Sequence, residues 1–366
     1  MEAQTMRSKV HLGRHNQRGF TLIELLLALT IGAFLVGGML QLYVGSKKSY
    51  NIQSTLTELQ ELGRFSLNNM IQDVRMAGFL GCGRSDDVVN VLNGGTVNWE
   101  YDANNALIGY EGGASVFPAE IAGDIVPNTD AFKLVRAIPD DRYVIQSHST
   151  TTNTFTLDQA HDLQFGDLLM ATDCLNSAMF QMTNANPGNT ALIVQHNQGA
   201  GVPGNCTAGL GAPLDCSSAT GTPYQFGEDA FLMRMTSRVY YIGTGATGRN
   251  ALFRRGINNN GTLGPAIELA EGVQDMQIVY GRDTDGDGGV DQYDLANAIA
   301  GVQWGEVVSI QINLLLESAE DNIADDPQTY VTVNGLDGSL TPVNAADRRL
   351  RRVYSATTTI RNRAIM

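Results

Sequence analysis

RGFTLIELLLALTIGAFLVGGMLQLYV, residues 18–44, decides the reading of this chain. From Leu25 to Val44 it runs 20 residues without a charge. At about 1.5 Å per residue a helix of that length spans roughly 30 Å, the depth of a bilayer core. The sequence before it is basic: Arg7, Lys9, Arg14 and Arg18 stand against one acid, Glu2. The positive-inside rule then places the N-terminus in the cytoplasm and the rest of the chain outside it. A secretory signal would carry small residues in an A-x-A-like pattern after its apolar stretch. No such pattern follows Val44; the basic leader ends at Arg18-Gly19, before the apolar stretch. One acid, Glu24, stands at the start of the run. A carboxylate in hydrocarbon is costly and calls for a partner, although the dipole of a helix start also favours an acid there.

The helical pattern continues past the apolar stretch. Ile52, Leu56, Leu59, Leu62, Leu67, Met70, Ile71 and Val74 recur at three- and four-residue steps, with polar residues between. No proline interrupts residues 20–77, and Gly78 offers a stop. The expectation is one helix over 20–77, apolar all round in 20–44 and amphipathic in 45–77. A coiled coil is disfavoured because the pattern keeps no strict seven-residue repeat.

Residues 18–40 closely resemble the N-terminus of type IV prepilins. The resemblance implies that a prepilin peptidase cuts after Gly19, so that 1–19 is a leader, and then N-methylates Phe20. It also implies that Glu24, the fifth mature residue, neutralises the terminal amine of a neighbouring subunit. The physics agrees, since two opposite charges that are each costly in a low dielectric are tolerable together.

After Gly78 the chain changes character. Its 366 residues include 40 glycines, and only 17% are charged, which fits a strand- and loop-rich body. Formal net charge is -14, and without residues 1–19 the balance is 20 basic against 37 acidic. Such a surface disfavours nucleic acid. Strands are expected at 131–135, 142–145, 167–170, 191–194, 237–242, 251–255, 275–280, 307–316 and 350–355. The pair 237–242 and 251–255 reads as a hairpin across a glycine-rich turn. The fold class expected is α+β, pilin-like: a long N-terminal helix packed on an antiparallel sheet within an exported domain, 78–366. Residues from about 82 to 225 carry no pattern that places them, and read as a large insertion into that sheet.

The four cysteines, Cys82, Cys174, Cys206 and Cys216, all follow the apolar stretch, so export would let them pair. Three connectivities are open. Cys206–Cys216 is favoured because it closes a short Gly- and Pro-rich loop, and Cys82–Cys174 follows by elimination.

The order VYYI…LFRR…LAEGVQDMQIVYG…WGEVVSIQINLLLES…RRVYSATTTIRNR, over roughly 230–363, resembles the PilW group of minor pilins. That resemblance implies an inner-membrane protein that later enters the pilus at or near its tip. There it would prime assembly with other minor pilins and the major pilin, and carry a large adhesin. A minor pseudopilin of a type II secretion system is the alternative, sharing leader, helix and sheet.

Chemistry-bearing motifs are few. Asp283, Asp285, Asp287, Asp291 and Asp294 occupy positions 1, 3, 5, 9 and 12 of an EF-hand-like loop, with Gly288 at position 6 and the Gly289 carbonyl at position 7. Hard cations need six or more oxygens, so the spacing points to Ca²⁺. Asp294 stands where Glu is usual, one methylene short. Two GxGxxG matches, 199–204 and 243–248, lack the strand-then-helix context of a dinucleotide site. His148, His161 and His196 are scattered among polar residues and read as surface positions. No nucleophile–base pair emerges, so an enzyme on a membrane anchor is disfavoured.

Overall fold

The computed structural model describes residues 19–82, 88–95, 98–185, 191–199, 201–258, 260–333 and 340–363. The basic residues Arg7, Lys9, Arg14 and Arg18, like the rest of 1–18, lie outside the described residues. The chain divides into two compact units, Met1–Ser54 and Thr55–Met366.

Helix α1 runs Leu22–Arg75, 54 residues, about 80 Å at the α-helical rise. It stops two residues short of the expected end. A turn follows in which Gly78 takes φ +69° and gives its N–H to the Val135 carbonyl at 3.0 Å. The left-handed conformation suits glycine and turns the chain onto the body. From Phe20 to Val44 the apolar side chains are exposed; Phe20 is 89% and Phe34 79% accessible. By length and composition this helix can cross a membrane.

In the second unit the helix buries Leu59, Gly63, Ser66, Leu67, Met70, Asp73 and Val74. Those positions fall at helical steps on one face. Gly63 has a specific reason: a Cβ there would lie 2.7 Å from Cγ of Tyr354. Only glycine lets the helix approach that strand so closely.

The strands in chain order are β1 Val88–Asn90, β2 Leu107–Tyr110, β3 Ala131–Ser149, β4 Thr154–Leu157, β5 Leu168–Thr172 and β6 Ser177–Gln181. There follow β7 Ile193–Gln195, β8 Phe231–Thr244, β9 Asn250–Gly256, β10 Ile267–Glu271 and β11 Val273–Arg282. The last are β12 Gln292–Asp294, β13 Val307–Glu317, β14 Thr329–Val333, β15 Leu340–Asn344 and β16 Arg351–Thr359. A short helix, α2, covers Ala119–Ala122.

An antiparallel four-stranded sheet has the order β12-β11-β13-β16. Helix α1 touches it through Gly63 against Tyr354 and through Arg75 Nε, which donates to Thr358 Oγ1 at 3.1 Å. A ten-stranded sheet is built around β3 and β8. The two pair antiparallel, and on its far side from β3, β8 pairs β5 along residues 231–234 and β9 along 238–244. On its other side β3 pairs β2 in its first part and β4 in its last. The two strands expected at 131–135 and 142–145 are thus one strand, with a register shift between Ala137 and Arg142 around Pro139.

The 82–225 region carries strands of its own, in a sheet separate from the four-stranded one. It supplies β1 to β7, which share one sheet with β8, β9 and β10. A core cluster that joins it to β8 holds Phe155, Phe180, Val194, Phe226 and Leu232, all buried. The expected hairpin is present: β8 and β9 pair antiparallel across 245–249.

Candidate functional site

The N-terminal module starts with a reciprocal cap. The Glu24 N–H donates to Thr21 Oγ1 at 3.3 Å. Glu24 Oε2 accepts from the Thr21 N–H and from its hydroxyl, each at 3.0 Å. This is a capping box, which satisfies two of the orphan donors of a helix start. The carboxylate is thereby held at the first turn, four residues after Phe20. The T-x-x-E spacing in the sequence is the signal that finds this box. Between Thr30 and Leu26 a hydroxyl-to-carbonyl bond of 2.7 Å keeps another polar group satisfied within the apolar stretch.

The other end of α1 is tied to the body through Asp73. Its carboxylate accepts from Arg238 at 2.7 and 2.9 Å, from Arg136 at 3.1 Å and from the Tyr240 hydroxyl at 2.6 Å. Asp73 is 4% exposed. Burial alone would raise its pKa, but Arg238, Tyr240 and Arg136 together hold it below the ordinary value. The cluster joins the helix to β3 and β8. Sequence reasoning placed Asp73 among the polar residues of the helix and missed it, because its partners lie far along the chain.

Both favoured disulfides form, Cys82–Cys174 and Cys206–Cys216. Cys82 follows the helix turn, and Cys174 sits between β5 and β6 at φ +70°. The bridge fixes the chain just beyond α1 to the large sheet. The second bridge closes the loop that packs Cys206 against the Phe155 core.

The Asp-rich loop lies between β11 and β12, so strands flank it on both sides. Asp283, Asp285 and Asp287 can each bring one oxygen within 4.8 Å of the others. Asp283 accepts backbone N–H groups from Gly286 at 2.7 Å and Gly288 at 2.8 Å. Asp287 accepts from Gly289 N–H at 2.7 Å. Asp291 caps Thr284 through its N–H (2.8 Å) and hydroxyl (2.9 Å). Asp294 pairs with Arg282 at 2.8 Å and accepts from Gln292 at 2.6 Å. The geometry gathers the first three acids and engages the last two elsewhere.

The histidines correct the sequence expectation of surface positions. His148, His161 and His196 are 4%, 2% and 1% exposed. His148 and His196 meet Nε2 to Nε2 at 3.0 Å, among Phe155, Phe180 and Phe226. The Phe226 N–H donates to His148 Nδ1 at 3.2 Å, so His148 carries its proton on Nε2 and donates it to His196. Burial pushes His148 down to about 4. Burial and then the neighbouring His148 push His196 down to about 3. Both are neutral at pH 7 and serve as core residues. The strand pairing that joins 148 to 196 had no local signal.

Comparison with known families gives two matches. The family described as type IV pilus-assembly protein W matches residues 239–362. The prokaryotic N-terminal methylation motif matches residues 14–40. The first begins within β8 and takes in β9 to β16; the second ends within the first half of α1. No curated protein and no solved structure matches the chain.

Proposed function

We infer that this chain, a type IV pilus minor pilin of the PilW family, acts with other minor pilins in priming assembly, at or near the filament tip. Minor pilins of this kind are held in the inner membrane by the N-terminal helix and are later incorporated into the pilus with the help of other pilins and the prepilin peptidase. In the reading proposed here the peptidase cuts after Gly19 and methylates Phe20. The observation that carries the proposal is the N-terminal unit itself. An apolar helix with exposed side chains begins at a capped Glu24. In a filament core that helix is covered by its counterparts, and Glu24 compensates the Phe20 amine of a neighbour, which sets register. The acidic body, with its large sheet from 82–225, then meets other subunits and a large tip adhesin. Pilin domains work by assembly, so the function asks for no catalytic group.

The Asp-rich loop belongs to the same proposal as a calcium site. Asp283, Asp285 and Asp287 would supply carboxylates and Gly289 a carbonyl, with Asp291 reaching through water. Asp294 would have to leave Arg282 to complete the shell, which makes the site weaker than a full EF-hand.

The test is a deletion strain in which surface pili are counted and secreted exoproteins are assayed in the same cultures. Scarce pili with normal secretion support the reading. Normal pili with lost secretion would move the chain to the type II secretion machine.

A further inference from the structure

A pocket lies at the end of β2, in the region that the family match does not reach. Between β1 and β2, and again before α2, the chain forms an open pocket of about 280 Å³. Trp99, Tyr110 and Phe117 supply aromatic surface, and Tyr110 and Phe117 meet at 5.9 Å between ring centroids. Glu100 and Glu120 add two carboxylates. Val116, 92% exposed, stands at its rim.

The charge balance of this pocket is unusual. Glu100 is only 8% exposed, and its Oε2 has no hydrogen-bond partner among the described residues. A buried carboxylate oxygen without a partner is costly. The buried cation Lys133 acts on Glu100 through its charge but makes its hydrogen bonds to other groups. Its ammonium binds Asp102 Oδ2 at 3.3 Å and the Asp102 and Trp99 carbonyls at 3.2 and 3.5 Å. Glu120 accepts the Trp99 indole N–H at 3.1 Å, which fixes the ring. Arg255 holds the Glu120 carbonyl at 2.6 Å rather than its carboxylate. Burial, and then the Glu120 charge, raise the pKa of Glu100 against its own backbone N–H and the Lys133 charge, which lower it.

We propose that this pocket receives a basic side chain, lysine or arginine, from a partner protein. An ammonium or guanidinium set between the carboxylates would compensate the buried Glu100. It would also lie against aromatic faces, which attract cations through their quadrupole. The aliphatic stem of such a side chain matches the apolar wall, and Val116 extends that wall outward. Anions are repelled by both acids. A hard metal ion finds two carboxylates here, short of the six oxygens it needs. That the partner is another filament subunit rests on the pilin reading; the ligand chemistry of the pocket does not.

The experiment uses the full chain in detergent micelles and its tryptophan emission. Trp99 lines the pocket, while Trp304 is buried against Tyr280 and gives a constant background. The probes are acetyl-Gly-Lys-Gly-amide, the same peptide with norleucine for lysine, and choline. The lysine peptide is expected to give a saturable change, at least tenfold tighter than norleucine and tighter than choline. Raising salt should weaken it, and Glu100→Gln with Glu120→Gln should weaken it tenfold or more while leaving near-UV circular dichroism intact. Equal binding of lysine and norleucine peptides, or no binding of either, would overturn the proposal. Tighter binding of choline would assign the pocket to small quaternary amines and overturn the protein partner. These outcomes are read without pili, so they stand apart from the deletion-strain result.

Discussion

Replacing Asp73 by Asn keeps the side chain's shape and removes its charge. In the native fold this carboxylate balances two guanidinium groups and accepts the Tyr240 hydroxyl. Removing one member of a buried ion pair costs about 3–5 kcal/mol, because the partner charge stays buried without compensation. The Arg136 and Arg238 side chains are 14% and 28% exposed and can recover part of their hydration. The expected cost is therefore at the lower end, about 3 kcal/mol. Tyr240→Phe removes only one charge-assisted hydrogen bond and should cost less, about 2 kcal/mol. Equilibrium urea unfolding of the full chain in micelles measures both. The pH dependence supplies an internal check. The folded pKa of Asp73 lies below its ordinary 3.8, so its contribution is fully present above that value and is lost as pH falls through the lower folded value. The difference between wild type and Asp73→Asn should thus be constant near neutrality and shrink under acid. A variant within about 1 kcal/mol of wild type at pH 7 would refute the view that this cluster couples helix to body.

The paired histidines predict acid lability of the large sheet. Both are held neutral, so below the ordinary value of 6.5 the unfolded chain binds more protons and stability falls as pH drops toward about 4. His196→Phe should make that decline shallower by about 1.4 kcal/mol per pH unit, read from unfolding curves across pH 6.5 to 4. Losing Cys82–Cys174, by Cys→Ser at both positions, should cost more than losing Cys206–Cys216. Chain-entropy arguments give about 4.6 against about 2.7 kcal/mol for loops closed by separations of 92 and 10 residues. Equal costs in urea unfolding would contradict the argument. Calcium should raise the thermal midpoint of the full chain, and Asp283→Asn with Asp285→Asn should abolish the rise; an unchanged midpoint with calcium or a chelator would remove the proposed ion.

What the sequence disclosed depended on how local the physics was. Helix α1 was legible because charge, apolar run and the 3.6-residue period all act within a few turns. Strands β8, β11 and β13 were legible from their β-branched and aromatic runs. In contrast, β6 reads Ser-Ala-Met-Phe-Gln and carries no such signature, yet every residue in it is buried. Its place is set by pairing with β5 and β1. For the same reason most of the strands that the 82–225 region contributes to the large sheet carried no pattern that placed them. Asp73 and the histidines follow this rule too: their polar or aromatic character was visible, but the partners that give it meaning come from strands 48 to 167 residues away. Glu24 was found by its anomalous position, and its Thr21 cap was within reach three residues earlier. The Asp-rich loop was legible as spacing alone. Its strand context on both sides, and the Arg282 pairing of Asp294, arise from the β11–β12 hairpin.

The most direct measurement of the central claim is complementation of a deletion strain with Glu24→Val, counting surface pili and weighing the mature chain by mass spectrometry. The account predicts normal cleavage after Gly19, with a mature chain beginning at methylated Phe20, together with poor recovery of pili and little of the variant in sheared filaments. Full recovery of pili by Glu24→Val, with the variant present in them at the wild-type level, would contradict assembly through this helix.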